Sequence, residues 1–219
     1  MTERQSGRWL KKYTDLQYLK KVLDDCELHL GDPRCWDDRN DGALTELYAK
    51  AKSMAKCRAT CLTMAEDRYH FWTVFGDRKR GVCLWFDRKE FVEGLRSDPS
   101  VSGRSVKYMR SDKLRQISLS KLPFAKRNQY ADEREYRVIR EYREKSDKQT
   151  NTFSFPPKSL RRIYLNPWLS REEERAERDK FSQLLIGDLR HVELYQNRTI
   201  EYRPWTEAAE SVVSRSTKR

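Results

Sequence analysis

Apolar and polar positions alternate most cleanly over residues 130–143, YADEREYRVIREYR, and a period of two predicts one strand there. Glu133, Glu135 and Arg137 then share one face, and Arg134, Tyr136 and Val138 the other. A continuous β-rich run predicts a buried strand over Gly81–Asp87, and alternation predicts another over Leu160–Leu165. Shorter strand candidates are residues 9–13, 27–30, 57–64, 105–110 and 152–155, with 191–203 read as a hairpin turning at 196–198. Helical periodicity places Leu16, Leu19, Val22 and Leu23 on one face after a Thr14/Gln17 capping box. A second helix, over 43–55, carries Leu44, Leu47, Tyr48, Ala51 and Met54 as its apolar stripe. Aromatic residues crowd a short helix within 66–76, and Asp87 with Glu90 caps the helix that follows. Residues 97–105 read as a turn-rich connector, 111–126 as undecided, and DKQTN (147–151) as a turn. Ser170 starts a charged helix that buries Leu184, Leu185 and Ile186 near its end.

Short strands mixed with helices, without a βαβ rhythm, predict an α+β fold with mostly antiparallel sheets flanked by helices. The 219 residues fit one domain, over 1–205, with 206–219 a disordered polar tail. Lys and Arg number 46 against 34 Asp and Glu, a net charge of +12 that favours polyanionic partners, nucleic acid foremost. No stretch approaches the roughly 18 apolar residues of a membrane span. The five cysteines lack CxxC spacing and the three histidines lie far apart, so no metal site is expected and the protein reads as cytoplasmic.

Candidate chemistry centres on Glu133 and Glu135. Two residues apart on a strand, their Cα atoms stand roughly 6.5–7 Å apart. One acid can then hold a substrate hydroxyl while its neighbour does electrostatic work; the competing reading pairs both with Arg137 or another cation. Asp37, Asp38, Asn40 and Asp41 suit a cation less well than a solvated loop. Asp87-Arg88-Lys89 echoes the acid-x-Lys of metal-dependent nucleases, but Asp87 already has a capping role.

In order, the motifs are a Lys12-Tyr13 strand, Trp36-Asp37-Asp38, Cys61-Leu62-Thr63, Phe71-Trp72 with Phe75, Gly81-Val82-Cys83, Lys126 and Glu133-x-Glu135-Tyr136-Arg137. This order resembles the bacterial domain-of-unknown-function family 2971, over about residues 10 to 165. More distantly it is similar to ADP-ribosyltransferase-fold toxins, DarT-like ones included. That second resemblance implies a split β-sandwich and NAD as co-substrate. It makes Glu135 the catalytic acid and Glu133 its accessory. Lys12 or Tyr13 would hold NAD from the first strand, where the family's usual Arg or His is absent. Trp72 or Phe75 would stack on nicotinamide, and Lys126 or Arg137 would meet the diphosphate. It also implies a toxin or anti-phage effector modifying a macromolecule, RNA before DNA on the charge argument, with a neutralising antitoxin as a further partner. The alternatives are a non-enzymatic nucleic-acid-binding module and a metal-dependent nuclease.

Overall fold

The computed structural model describes residues 7–76, 80–143 and 150–216. Among the described residues eleven strands are formed: β1 (Trp9–Asp15), β2 (Glu27–His29), β3 (Lys56–Thr63), β4 (Gly81–Asp87), β5 (Val101–Ser105), β6 (Lys107–Met109), β7 (Ala125–Arg127), β8 (Glu135–Tyr142), β9 (Thr152–Ser154), β10 (Leu160–Leu165) and β11 (Glu193–Gln196). The helices are α1 (Leu19–Asp25), α2 (Arg39–Ala51), α3 (Tyr69–Val74), α4 (Arg88–Leu95), α5 (Ser111–Leu114), α6 (Arg171–Ser182) and α7 (Arg203–Ser216). Seven strands form one sheet in the order β11-β10-β4-β1-β3-β8-β5, antiparallel except for β10 with β11. The remaining strands pair as β2-β9 and β6-β7.

The large sheet is two halves joined at one point. Strand β1 pairs with β4 from Trp9 to Asp15, and β3 with β8 from Lys56 to Thr63. Between β1 and β3 the only register pair is Lys11 with Thr63. Past it the strands diverge, and Gly31 takes the place beside β3, exchanging both backbone hydrogen bonds with Ala59. Lys12 Nζ reaches across the divergence to the carbonyl of Cys61 at 3.3 Å. The expected α+β fold is thus present, with a large, mostly antiparallel sheet flanked by helices.

Alternation gives each face its own core. Leu10, Val82, Leu84, Phe86, Leu62, Tyr136 and Val138 face the larger cluster, closed by Leu19 and Leu23 of α1, Phe91 of α4 and Phe181 of α6. On the other face, α3 lays Phe71 and Trp72 against Trp9, Tyr13, Cys83 and Trp85. Beyond the split, α2 lays Tyr48 against Cys57, Ala59 and Ile139.

Several expectations are corrected. Residues 130–143 are not one strand, because 128–133 form a 3-10 turn and Arg134 is left-handed (φ 44°) before β8 begins. Asp15, not Thr14, caps the first turn, by accepting from Gln17 N. The 97–105 connector contains β5, which pairs with β8 because Gly103 admits the Tyr136 ring, whose hydroxyl would lie 2.7 Å from a Cβ there. The hairpin at 191–203 is absent: β11 pairs in parallel with β10, and the chain then turns into α7. Ile186 is 71% exposed, and Phe181 is the residue α6 buries. From Thr206 the expected tail is helical as far as Ser216, with every position exposed. Its apolar positions Trp205, Ala208, Ala209, Val212 and Val213 repeat at helical spacing, which a reading of composition alone overlooks. Residues 217–219, and 147–149 of the expected turn, lie outside the described residues.

Candidate active site

Across the single joining point run three residues in register: Lys11 on β1, Thr63 on β3 and Glu135 on β8. Directly opposed residues share a face, so all three project to the side covered by α2 and α3. Two inter-strand spacings, about 9.5 Å, separate the backbones of Lys11 and Glu135. All three side chains are buried.

Glu135 opens β8 and anchors an ionic cluster on the β3-β8-β5 half. Arg137, two residues on and fully buried, donates from Nε to Glu135 Oε1 at 2.6 Å and from Nη2 to Oε2 at 3.0 Å. The same Nη2 donates to Asp41 Oδ2 at 2.7 Å, and Nη1 to the carbonyl of Pro123 at 2.8 Å. Trp36 covers the guanidinium, 4.9 Å from its ring centroid. Lys126 Nζ lies 2.6 Å from Glu133, 3.3 Å from Glu135 and 3.5 Å from Asp41. Glu135 N donates to the Tyr108 hydroxyl at 2.7 Å. Glu133 reaches this cluster from the 3-10 turn, not from the strand.

The two glutamates are driven in opposite directions. Burial pushes the Glu135 carboxyl up, but the charge and hydrogen bonds of Arg137, with Lys126 and the Cys61 thiol, outweigh it and hold it at about 2. Burial also pushes Glu133 up, and there Lys126 does not fully offset it, with Glu135 and Asp41 adding to the rise. Asp41 is raised for the same reason, burial exceeding the pull of Arg137 and Lys126. Lys126, though burial lowers it, is raised on balance by Glu135 and Glu133. Carboxylates pushed apart in this way take different proton-transfer roles.

A second cluster lines the β1-β4 half of the same face. Tyr13 donates to Asp67 Oδ1 at 2.6 Å, and the Trp72 indole donates to the same oxygen at 2.8 Å. Thr199 donates to Asp67 Oδ2 at 3.0 Å, and Asn197 donates to it too. Trp72 is fully buried and meets Tyr13 edge-on at 5.2 Å, whereas Phe75 leans on Tyr13 at 6.5 Å and is 45% exposed. Lys11 donates to the Ala65 carbonyl at 2.6 Å and lies 4.3 Å from the Trp85 ring centroid, and burial lowers its pKa. Burial likewise lowers Lys12, at the mouth of the split.

Of the residues singled out in the sequence, Glu133, Glu135, Lys126 and Arg137 come together, and Tyr13, Trp72 and Phe75 form the facing group. Lys12 pairs with Leu84 on the opposite face, and its ammonium reaches the β1–β3 gap only at the Cys61 carbonyl. Trp72 is a core residue with its indole N–H engaged; Phe75 is the one of the two aromatics open to a ligand. Sequence reasoning missed Lys11, Thr63, Asp67, Tyr108 and the role of Asp41. Asp41 was read with Asp37, Asp38 and Asn40 as a solvated loop; it lies in the first turn of α2, which Asp38 caps by accepting from Asn40 N. Asp41, Thr45 and Tyr48 form the buried stripe of α2, while Leu47 of the expected stripe is 56% exposed. Asp87 caps α4 as expected, accepting from Lys89 N and Glu90 N. Among the described residues no group of three or more His, Cys, Asp or Glu is arranged to hold a metal ion, and no helix is long and apolar enough to cross a membrane.

No protein-family model matches the sequence, and no curated protein does. Solved structures of the Thermus sp. 2.9 DarT are similar in chain path. Its complex with carba-NAD+ gives a TM-score of 0.45 at 10% identity, covering 92% of this chain and 100% of that one. Its complex with ADP-ribosylated single-stranded DNA gives 0.46 at 9%, covering 90% and 97%. The NAD+ complex gives 0.45 at 9%, covering 90% and 98%. Likeness at that level says nothing about individual side chains.

Proposed function

We propose that the sheet face at the divergence of β1 and β3 carries the active site of an ADP-ribosyltransferase that takes NAD as substrate and modifies a macromolecule, RNA before DNA. The observation that carries this is the opposition of two walls on one sheet face. One wall is aromatic and offers Phe75 for a planar ring; the other holds two carboxylates with opposed proton affinities. Lys12, whose ammonium reaches the gap from the opposite face, and Lys126 supply cations for a diphosphate between them.

The chemistry is cleavage of the bond between C1′ of the ribose and the nicotinamide nitrogen, with the bonding pair leaving on nicotinamide. Positive charge builds on the sugar, as in glycoside cleavage. Glu135, ionised throughout the neutral range, accepts from a ribose hydroxyl by replacing Lys126, whose 3.3 Å contact is the longest the carboxylate makes to a cation. Glu133, with its raised proton affinity, takes the proton of the acceptor nucleophile as the new bond to C1′ forms. A bacterial toxin or anti-phage effector in the cytoplasm, restrained by an antitoxin, is the setting that the motif resemblance implies.

One observation favours a second reading. Glu135 is 3% exposed with both oxygens engaged, as a purely structural ion pair would be. The chain would then be a basic nucleic-acid-binding module without catalysis. Incubation with isotope-labelled NAD and total RNA, DNA or protein separates the two. Transfer of label by wild type and its loss in Glu135→Gln, with the variant still folded, supports the enzyme; no NAD binding under any condition removes it.

A further inference from the structure

We infer that a cavity on the sheet face opposite Glu135 is a separate binding site for a ligand carrying two or more phosphates. The cavity measures about 730 Å³ and lies between α4, β5 and the start of β1. Tyr136, the next residue after Glu135 and so on the other face, forms part of its wall. Its volume falls within the range of small-ligand pockets.

Four cationic residues line it, Arg8, Arg88, Lys89 and Arg96; Arg104, directly opposite Arg137 and 5.4 Å from the Phe124 ring centroid, turns its side chain to the other face. Two carboxylates, Asp87 and Glu93, stand among them. Asp87 is already committed, accepting from Lys89 N at 3.0 Å and Glu90 N at 3.3 Å and pairing with Arg8 at 3.5 Å. Arg88, Lys89 and Arg96 form no ion pair among the described residues. Three such cations against the one uncommitted carboxylate, Glu93, leave the cavity with a positive excess that matches an anion of more than one charge. Arg88 is half-buried and held in place, its guanidinium 5.9 Å from the Tyr136 ring centroid and its Nη2 3.5 Å from Ser105 Oγ. A fixed arginine fork suits phosphate oxygens better than a mobile ammonium does. The phosphates can come from a free nucleotide or from a nucleic-acid chain passing through the cavity.

The site is independent of the NAD chemistry and is tested without NAD. Binding of inorganic tripolyphosphate, ATP and a labelled single-stranded 12-mer is measured by titration calorimetry or fluorescence anisotropy over a salt series. The variants are Arg88→Gln/Lys89→Gln/Arg96→Gln and a control of equal charge change, Lys20→Gln/Lys21→Gln/Lys50→Gln. Circular dichroism monitors folding, and the single exposed change Lys89→Glu serves if the triple variant is unstable. The expected result is a loss of about tenfold or more in the pocket variant, with a shallower salt dependence for the 12-mer by about 2 in slope, and less than about twofold in the control. Loss with all three probes identifies a free nucleotide as the source, and loss with the 12-mer alone identifies a nucleic-acid chain. Equal loss in both variants, or no binding of any probe by wild type at low salt, overturns the proposal.

Discussion

Arg137 has no exposed surface and donates four hydrogen bonds, three to carboxylates and one to a carbonyl. Removing it leaves Glu135 and Asp41 buried beside Lys126 alone, the situation in which a broken ion pair is most damaging. Arg137→Met is expected to lower unfolding free energy by about 3–5 kcal/mol in urea titration; a loss under about 1 kcal/mol would mean that the cluster relaxes into water. Glu135 has its own pH signature. Its folded pKa of about 2 lies below the ordinary 4.5, so as the pH falls the unfolded chain takes up the proton first. Its contribution, about 3 kcal/mol at most by linkage, is full above pH 4.5 and lost as the pH falls toward 2. A variant lacking this carboxylate should lose that part of the acid dependence. Glu133 is raised, so activity should fall on the acid side with an apparent pKa above 4.5, and Glu133→Gln should remove that limb while lowering the rate by about 10²–10⁴. An unchanged pH–rate profile in Glu133→Gln would assign the base elsewhere. Period-two alternation made Glu135 and Arg137 legible in the sequence. Asp41 was not, because its partner lies 96 positions away and only folding brings a buried guanidinium to that helix.

At the scale of elements, α3 is held to the sheet by the packing of Phe71 and Trp72 and by hydrogen bonds that converge on one side chain. Asp67 accepts from Tyr13, Trp72, Asn197 and Thr199, tying β1, α3 and the segment after β11 together. Asp67→Ala should strand the Trp72 indole N–H and the Tyr13 hydroxyl, destabilise the fold by about 2–4 kcal/mol, and shift tryptophan emission to the red. Unchanged emission and stability would show that packing of Phe71 and Trp72 holds α3 unaided. Strands β4 and β10 were legible to the residue because both lie inside the sheet and read as apolar or alternating runs. Strand β5 was not, since VSGRS carries turn composition and becomes a strand only where Gly103 meets Tyr136. The α2 stripe was misread for a related reason. Its leucines satisfy a generic amphipathic pattern, yet the helix turns Asp41 and Thr45 inward toward the charge it must balance.

For the whole molecule, the decisive feature is the sheet held at one residue pair, Lys11 with Thr63. A sequence reports which segments are strands, but the point where two strands part depends on what fills the gap, here Gly31 and the Lys12 ammonium. The resemblance implied a split β-sandwich; the Lys11–Thr63–Glu135 row at the joining point followed only from the registers. The net charge of +12 draws polyanions to the surface as a whole, and the basic cavity opposite Glu135 concentrates that attraction on the far side of the same strand. The most direct test of the NAD reading is intact-mass analysis of RNA, DNA and protein after incubation with NAD, comparing wild type with a folded Glu135→Gln variant. The expected result is addition of an ADP-ribosyl mass to one of the three by wild type, RNA first, with nicotinamide released and neither product formed by the variant. Transfer undiminished in Glu135→Gln, or no transfer and no NAD binding by wild type, would contradict it.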